Sequence, residues 1–276
     1  MDCKQFSVSM CVYGKNNPEH FDIAVGSIIN QSVKPSEVIL VVDGPVPPEI
    51  DAVISKYEEF DFFKVYRFQE NKGHGEARRF GLEKCTNELV AIMDADDISA
   101  PDRFEVQLKA FESDNSVDIV GGDISEFVDS EENVVAYRRV PKTDAEIKEY
   151  LKKRCPLNHV SVMFKKSAVE KAGGYLDLFW NEDYYLWIRM AAENAIMANT
   201  GTVLVNVRTG ADMYNRRGGK KYFKSEKFLQ KYMLDRKMIG RFTYFSNVLK
   251  RWIVQRLLPN KLRGWVFRTF ARKNVI

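Results

Sequence analysis

One short segment constrains the fold of this chain most strongly: an apolar run that ends in clustered carboxylates. Residues Leu89–Met93 are all apolar, as in a buried strand, and Asp94, Asp96 and Asp97 follow within four residues. Carboxylates this close repel one another, and an all-oxygen ligand set suits Mg²⁺ or Mn²⁺. We therefore expect these three acids to hold a divalent cation at the carboxyl end of a central strand, where open α/β sheets bind ligands. A helix cap or a solvated loop is the alternative explanation of the cluster.

The first 120 residues alternate between strand and helix patterns. Strands are predicted at 6–13, 38–42, 63–68, 89–93 and from 119, with helices at about 18–30, 47–57, 75–85 and after 99–102. Strands that alternate with helices predict a parallel, doubly wound sheet. Farther along, the patterns predict an antiparallel hairpin (124–128 and 134–138), a helix at 143–154, a strand at 160–164, a helix at 184–192 and a strand at 202–207. After about residue 214 the chain is predicted to be helical to its end, with interruptions at Gly240 and Pro259.

The charges are divided unequally along the chain. Residues 216–276 carry 18 Lys and Arg against two acids, whereas the whole 276-residue chain has a net charge of only +4. An acidic body with a basic tail predicts an anionic partner surface, either a membrane or a nucleic acid. The four cysteines show neither zinc-site nor disulfide spacing, which favours a reducing cytosol. We expect no signal peptide, because a strand pattern begins by Phe6, and no uncharged run reaches the roughly 20 residues of a membrane-spanning helix.

Two further strands end in side chains that suit a nucleotide. Tyr13 follows the first strand and Asp43 follows the second. Because parallel strands end at one edge of a sheet, both residues are expected to face the same crevice as the Asp94 cluster. There Tyr13 would lie against a base, Asp43 would accept a base N–H group, and the metal would bridge a diphosphate. The alternative for Asp43, which precedes Gly44 and Pro45, is an ordinary turn.

Two predicted helices begin with charged residues that have two explanations each. Arg78 follows a glycine loop at 73–75 and would point at a phosphate or a partner acid, unless it lies on a solvated helix face. Glu182 and Asp183 open the aromatic helix, and the helix dipole would explain acids there. One of them is also a candidate general base, because a hydroxyl with a pKa far above 7 must lose its proton as it attacks.

Six motifs occur in an order and spacing that resemble a known family. They are SVSMCVY at 7–13, VVDG at 41–44, the Asn71–Gly81 loop and helix with its Ala77-Arg78 pair, Asp94–Arg103 with its three clustered acids, NHVSVM at 158–163, and EDYYLW at 182–187. Together they are similar to the family 2 glycosyltransferases, which have the GT-A fold. The resemblance covers residues from about 6 to 210. Each motif alone is weakly specific, whereas six in register are strongly specific.

The resemblance implies a Rossmann-like α/β fold of the GT-A type, with a mostly parallel sheet, in residues 1–214. A nucleotide-binding half would occupy 1–120, an acceptor-binding half 121–214, and a basic helical extension 215–276. The implied activity is an inverting, metal-dependent transfer of a hexose from a nucleotide-diphosphate sugar, usually UDP, to a hydroxyl. By this likeness Asp183 would be the catalytic base beside Glu182, and His159 and Trp187 would line the donor or acceptor pocket. The implied nucleotide ligands are Tyr13, Asp43, Arg78, Asp94 and Asp96, and the implied ligands of Mn²⁺ or Mg²⁺ are Asp94, Asp96 and Asp97.

The C-terminal extension suits a membrane surface. One predicted helical face carries Phe242, Phe245, Leu249, Trp252 and Ile253, and a second carries Leu262, Trp265, Val266 and Phe270. Basic amphipathic helices with Trp and Phe lie in the interface of anionic membranes. Packing of these faces on the catalytic domain or on a second subunit is the alternative. With the resemblance, the tail predicts a cytoplasmic enzyme on the inner face of the plasma membrane. It would use a glycan acceptor linked to polyprenyl diphosphate in lipopolysaccharide or other surface polysaccharide synthesis, and would bind no nucleic acid.

Two other functions compete with this interpretation. A sugar nucleotidyltransferase also uses an α/β sheet and metal-binding carboxylates, but its first strand usually leads into a Gly-rich basic loop, unlike the sequence YGKNNP at 13–18. A non-catalytic nucleotide-sugar-binding protein is disfavoured by the intact acids at both the metal and the base positions. The tail shows no RNP-type or helix-turn-helix pattern that would favour a nucleic-acid module.

Overall fold

A mixed β-sheet runs through the computed structural model, which describes residues 5–210, 218–258 and 273–274. The strands in these residues are β1 (Phe6–Val12), β2 (Glu37–Val42), β3 (Phe63–Arg67), β4 (Leu89–Asp94), β5 (Ile98–Ser99), β6 (Ile119–Phe127), β7 (Val134–Arg138), β8 (Met163–Lys165), β9 (Met197–Arg208) and β10 (Lys273–Asn274). Their order is β10-β7-β6-β8-β4-β1-β2-β3, and β9 pairs with β5 and β6. The β3-β2-β1-β4 half is parallel, whereas β8 is antiparallel to β4 and β6, and β6 and β7 form the predicted hairpin.

Helices cover both faces of the sheet. They are α1 (Pro18–Ile29), α2 (Pro48–Glu58), α3 (His74–Lys84), α4 (Arg103–Ser113), α5 (Asp144–Leu151), α6 (Lys166–Lys171), α7 (Glu182–Ala192), α8 (Gly219–Asp235) and α9 (Arg241–Trp252), which continues as a π-helical turn at Ile253–Leu257. In β2, Val38 and Leu40 pack with α1, α2 and α4, while Ile39 and Val41 pack with α3 and the helices beyond it. Both faces of this strand are therefore buried, as expected of a doubly wound sheet.

The strand predicted to resume at 119 and the first hairpin strand are one continuous element, β6. β6 contains glycines in its interior because β9 packs too close for a side chain. A Cβ on Gly121 would come within 2.4 Å of Asn199 Oδ1 on β9. The glycines allow β9 to approach closely. The sheet is continuous across residue 120, where two halves of the domain were expected to meet, and β9 begins at Met197, earlier than predicted.

Two other local predictions are wrong. The expected strand at 160–164 is a 3₁₀ turn at His159–Ser161 followed by β8, because the Ser161 hydroxyl donates to Asn158 O at 2.9 Å and closes the turn. Helix was expected to the end of the chain, but residues 273–274 form β10, which pairs with β7. The second apolar face of the tail (Leu262, Trp265, Val266 and Phe270) and Pro259 lie outside the described residues.

The two C-terminal helices differ in what their apolar faces contact. Leu229 and Met233 of α8 are buried in the same cluster as α7, so this helix packs on the catalytic domain. The face of α9 predicted from the sequence is instead exposed, at 88% for Phe242, 66% for Phe245 and 56% for Leu249. Among the described residues, no helix has the length and apolar character that crossing a bilayer requires.

Candidate active site

The carboxyl ends of β1, β2 and β4 meet at one edge of the sheet, as the sequence predicts. Val12 pairs with Val42 and Cys11 with Asp94, so Tyr13, Asp43 and Asp94 occupy neighbouring positions along this edge. The Tyr13 side chain is exposed. Its ring is therefore accessible to a planar ligand.

Asp43 organises the glycine loop that leads into α3. Its buried carboxylate accepts hydrogen bonds from the Lys72 backbone N–H at 2.6 Å, the Gly73 N–H at 3.0 Å and Asn71 Nδ2 at 3.0 Å. Gly44 adopts φ +86°, and a Cβ there would lie 2.6 Å from the Asn71 nitrogen. The turn and the loop are thus held together by Asp43, while its contact with a base stays a prediction.

Arg78 lies beneath the site and is paired with an acid. The guanidinium is buried, forms an ion pair with Asp94, and donates to Ser9 O at 3.0 Å and Met93 O at 3.1 Å. Its Nε donates to His74 Nε2 at 2.9 Å. Burial acts to raise the pKa of Asp94, but the charge and hydrogen bond of Arg78, together with His159 and His74, outweigh it and the pKa is lowered. Of the explanations offered by the sequence, the structure supports the partner acid and contradicts a solvated helix face.

The three clustered acids differ in their suitability as metal ligands. Asp97 is buried and accepts the Arg208 backbone N–H at 2.9 Å; burial and the charges of Asp96 and Asp94 raise its pKa well above the usual range. A divalent cation among these acids would counter this rise, and the role of Asp97 as a metal ligand stays a prediction. In the described part of the chain, no three His, Cys, Asp or Glu side chains form a metal-binding group. Half-buried Asp94 and exposed Asp96 fit a cation that takes its other ligands from a diphosphate and water.

Glu182 and Asp183 begin α7 directly beside the start of α3. The Glu182 Cγ lies 3.8 Å from the position that a Cβ on Gly75 would occupy. Burial, with the neighbouring charge of Asp183, raises the pKa of Glu182 to about 7. Asp183 Oδ1 accepts the Tyr184 backbone N–H at 2.7 Å, and the Cys155 sulfur lies 4.0 Å from Oδ2.

Tyr175 is a buried residue that contacts His159. Its hydroxyl is 3.0 Å from His159 Nε2. Burial raises the pKa of this hydroxyl; the Arg78 charge opposes the rise, and the charges of Asp183 and Asp94 add to it.

Contacts link the sheet edge to the start of α7. The Arg78–Asp94 pair reaches the start of α3 through His74, and the next residue of α3, Gly75, lies beside Glu182. This convergence of the sheet edge and the start of α7 is the main geometric feature of the site.

The structure separates the two predicted pocket residues. His159 is half-buried and its ring lies 6.4 Å from that of His74; burial lowers its pKa to about 3, so the imidazole is neutral. Trp187 is fully buried, with ring-centroid distances of 6.1 Å to His159 and 6.5 Å to Phe164. The Trp187 ring packs against His159 in the core, and its assignment to the donor or acceptor pocket stays a prediction.

Several residues of the site were not assigned a role from the sequence. Tyr175 follows Gly173 and Gly174, which adopt φ +85° and +66°, so the glycine pair was a visible turn signal without a functional meaning. Arg208 lies at the end of β9, where its Nε donates to Asp96 O at 3.3 Å and its Nη1 to Asp129 O at 3.1 Å. No local pattern links Arg208 to a segment more than 100 residues earlier.

Comparisons with known proteins point to one family. The family described as Glycosyl transferase family 2 matches residues 7–172. An uncharacterized glycosyltransferase of Haemophilus influenzae is 39% identical over 98% of this chain and 100% of its own length. The amylovoran biosynthesis glycosyltransferase AmsE of Erwinia amylovora is 35% identical (95% of this chain, 97% of AmsE). A UDP-Gal:alpha-D-GlcNAc-diphosphoundecaprenol beta-1,3-galactosyltransferase of Escherichia coli is 34% identical (99% and 98%).

Solved structures resemble the fold as well. S. aureus TarS 1-349 superimposes with a TM-score of 0.65 at 15% identity, over 95% of this chain and 78% of that one. Its complex with UDP-GlcNAc gives a TM-score of 0.67 at 14% identity over the same shares. At this identity the likeness concerns the fold alone, and it confirms the predicted fold class.

Proposed function

Because the chain belongs to glycosyl transferase family 2, we propose that it transfers a hexose from a UDP-sugar to a hydroxyl of a lipid-linked glycan in cell-surface polysaccharide synthesis. The observation that carries this proposal is the adjacency of the sheet edge at Asp94 and the start of α7, which are linked through Arg78 and the start of α3. The Escherichia coli relative, which is named for a UDP-Gal donor and a diphosphoundecaprenol acceptor, supports this substrate class. The role of AmsE in amylovoran biosynthesis supports the polysaccharide pathway.

The sheet edge would bind the donor. The exposed Tyr13 ring is available to the base, and the loop fixed by Asp43 would follow the nucleotide into the site. Asp94 and Asp96 would hold Mg²⁺ or Mn²⁺, which neutralises the charge that develops on a departing diphosphate. Arg78 keeps Asp94 ionised and oriented through its buried ion pair.

The start of α7 would deprotonate the acceptor. Asp183 takes the proton from the attacking hydroxyl on the face opposite the diphosphate. Because Glu182 has a pKa of about 7, it carries a proton for part of the time near neutral pH, and this limits the negative charge beside the base. A single displacement then inverts the anomeric centre, so an α-linked donor gives a β-linkage.

We also propose that the protein attaches peripherally to an anionic membrane on its cytoplasmic side. The exposed apolar face of α9 supports this, since Phe242, Phe245 and Leu249 contact little of the protein. Exposed Lys250 and Arg256 on the same helical segment would meet anionic headgroups.

A hydrolysis screen tests the activity. The protein is incubated with Mn²⁺ and a panel of UDP-, GDP- and dTDP-sugars, and slow release of nucleotide diphosphate from one UDP-sugar is expected. Pyrophosphate release from a nucleoside triphosphate would instead favour a nucleotidyltransferase. Binding of a UDP-sugar with neither hydrolysis nor transfer would favour a non-catalytic binding protein.

A further inference from the structure

A cavity of about 560 Å³ lies beside Asp183 and is not explained by the donor site. It is enclosed by the start of α7, the residues that follow α5, and one face of α9. Positive charge predominates in its lining, where two acids (Asp183 and Glu226) face five basic residues: Arg138, Lys153, Arg154, Lys250 and Arg251.

The basic residues of this cavity divide into structural and accessible groups. Arg251 pairs with Glu226 and donates to the backbone oxygen of Lys153 at 2.7 Å, so it holds α9 against the α5 end of the cavity. Lys250 is exposed and makes no ion pair within residues 5–210 and 218–258. The Lys153 side chain is also exposed, 3.7 Å from Glu149. Lys250 and Lys153 can therefore turn toward an anionic ligand.

The acidic and basic ends of the cavity are close together along the chain. Cys155 lies 4.0 Å from Asp183 and marks the acidic end. Lys153 is two residues earlier in the chain, a span of at most ~7 Å in an extended backbone. A sugar that presents a hydroxyl to Asp183 would thus place its opposite side near the lysines.

Two residues of the cavity carry features typical of ligand sites. Trp180 adopts φ +56°, a left-handed conformation that is strained for a bulky residue, and its side chain is 53% exposed. Such strain concentrates where a side chain must be presented to a ligand. Gln255 is buried, and its Oε1 makes no hydrogen bond in the described part of the chain. This unsatisfied oxygen belongs to a residue that lines the cavity.

We propose that this cavity is the acceptor subsite and that it takes a sugar 1-diphosphate carried on a lipid, an inference that rests on the proposed function. The hydroxyl to be glycosylated faces Asp183, the ring packs on Trp180, and the diphosphate lies between Lys153 and Lys250. Phe242 both lines the cavity and belongs to the exposed face of α9. The lipid chain therefore leaves the cavity along the face that we assign to the membrane.

Calorimetric titration of the full-length protein tests the subsite. UDP with Mn²⁺ is titrated first, and the UDP-saturated protein is then titrated with geranyl diphosphate, with geraniol and inorganic pyrophosphate as comparison ligands. Geranyl diphosphate should bind at one site, and Lys250→Glu should weaken it by at least ~10-fold, because it places like charge beside the diphosphate. Lys227→Glu is the matched control, since Lys227 is an exposed lysine of α8 outside the cavity.

The outcomes separate this inference from the proposed function. Failure of UDP to bind would contradict the proposed function. Normal UDP binding without geranyl diphosphate binding, or an equal loss in Lys250→Glu and Lys227→Glu, would overturn the acceptor subsite alone. Displacement of geranyl diphosphate by UDP would also overturn it, because the diphosphate would then occupy the donor site.

Discussion

Two parts of this site are built in different ways: the sheet edge proposed to bind the donor (Tyr13, Asp43, Arg78 and Asp94), called the donor edge, and the side proposed to bind the acceptor (residues 153–155, the start of α7 and α9), called the acceptor side. The donor edge comes from adjacent strand ends and the helix that follows β3. Its residues are held together by the Arg78–Asp94 ion pair and by the hydrogen bonds that Asp43 accepts from its loop. The acceptor side is assembled from residues 153–155, the start of α7 and α9, which are distant in sequence. In the proposed function, the parallel sheet would fix the donor site in advance, and the C-terminal helices would determine the acceptor.

The strongest test of this contrast is Asp183→Asn, which should abolish acceptor chemistry and leave the donor edge intact. General-base catalysis contributes ~10²–10⁴ in rate, so transfer should fall by at least this factor. The UDP affinity should not change. Transfer rates and calorimetric UDP binding measure the two effects.

The exposed neighbour Asp177 provides the control, and Asp177→Asn should transfer at close to the wild-type rate. Normal turnover by Asp183→Asn would remove this residue from the base role.

The donor edge should depend most on its buried ion pair. Arg78→Met leaves the half-buried Asp94 carboxylate without its cation, which should lower the free energy of unfolding by about 3 kcal/mol and weaken UDP binding. Arg79→Met is the matched control one residue along α3. Arg79 is exposed and pairs with Glu76 and Glu83, so its loss should cost less than about 1 kcal/mol. Urea denaturation compares the two, and equal losses would show that burial of the pair is unimportant.

On the acceptor side, the outer face of α9 should affect membrane binding without affecting the fold. The double variant Phe245→Glu, Leu249→Glu should bind anionic vesicles less tightly by about 2 kcal/mol, because two exposed apolar side chains no longer enter the membrane interface. Vesicle flotation measures this binding. The free energy of unfolding should change by less than about 0.5 kcal/mol. Leu176→Glu, an exposed leucine outside α9, is the control. Unchanged flotation of the double variant would contradict the membrane assignment.

The smallest expected effect concerns Glu182 and pH. Its pKa of about 7 in the folded protein exceeds the ordinary value of 4.5, so the folded state keeps a proton that the unfolded state releases. Wild-type stability should therefore fall as pH rises from 4.5 through 7. The full shift corresponds to about 3 kcal/mol, which solvent screening of this partly exposed carboxyl reduces to about 1 kcal/mol. Glu182→Gln removes this dependence, so its stability relative to the wild type should increase as pH rises over the same range. Denaturation at pH 5 and pH 8 measures the difference in unfolding free energy between the wild type and Glu182→Gln. The same difference at both pH values would contradict the raised pKa.

The sequence predicts the donor edge better than the acceptor side for a physical reason. Tyr13, Asp43 and Asp94 each follow a local apolar run, and parallel strands bring such ends together. Trp187 was assigned to a pocket only through the resemblance of the EDYYLW motif at 182–187 to the family. Whether a helical residue faces a cleft or the core depends on its neighbours in three dimensions, and Trp187 faces the core.

Prediction of the C-terminal extension from sequence is limited in the same way. Periodicity predicts an apolar face on α9, and the structure places that face outside. The cavity behind it depends on contacts such as that between Arg251 and the Lys153 carbonyl, which join residues nearly 100 positions apart. No local pattern contains this information.

The central claim is that the sheet edge at Asp94 and the start of α7 at Asp183 enclose one sugar-sized gap. The most direct test is a crystal structure of Asp183→Asn with Mn²⁺ and the UDP-sugar identified by the hydrolysis screen. We predict the diphosphate beside Asp94 and Asp96, with the anomeric carbon facing position 183 across room for a single hydroxyl. A donor sugar directed away from position 183, or a diphosphate bound elsewhere, would contradict the account.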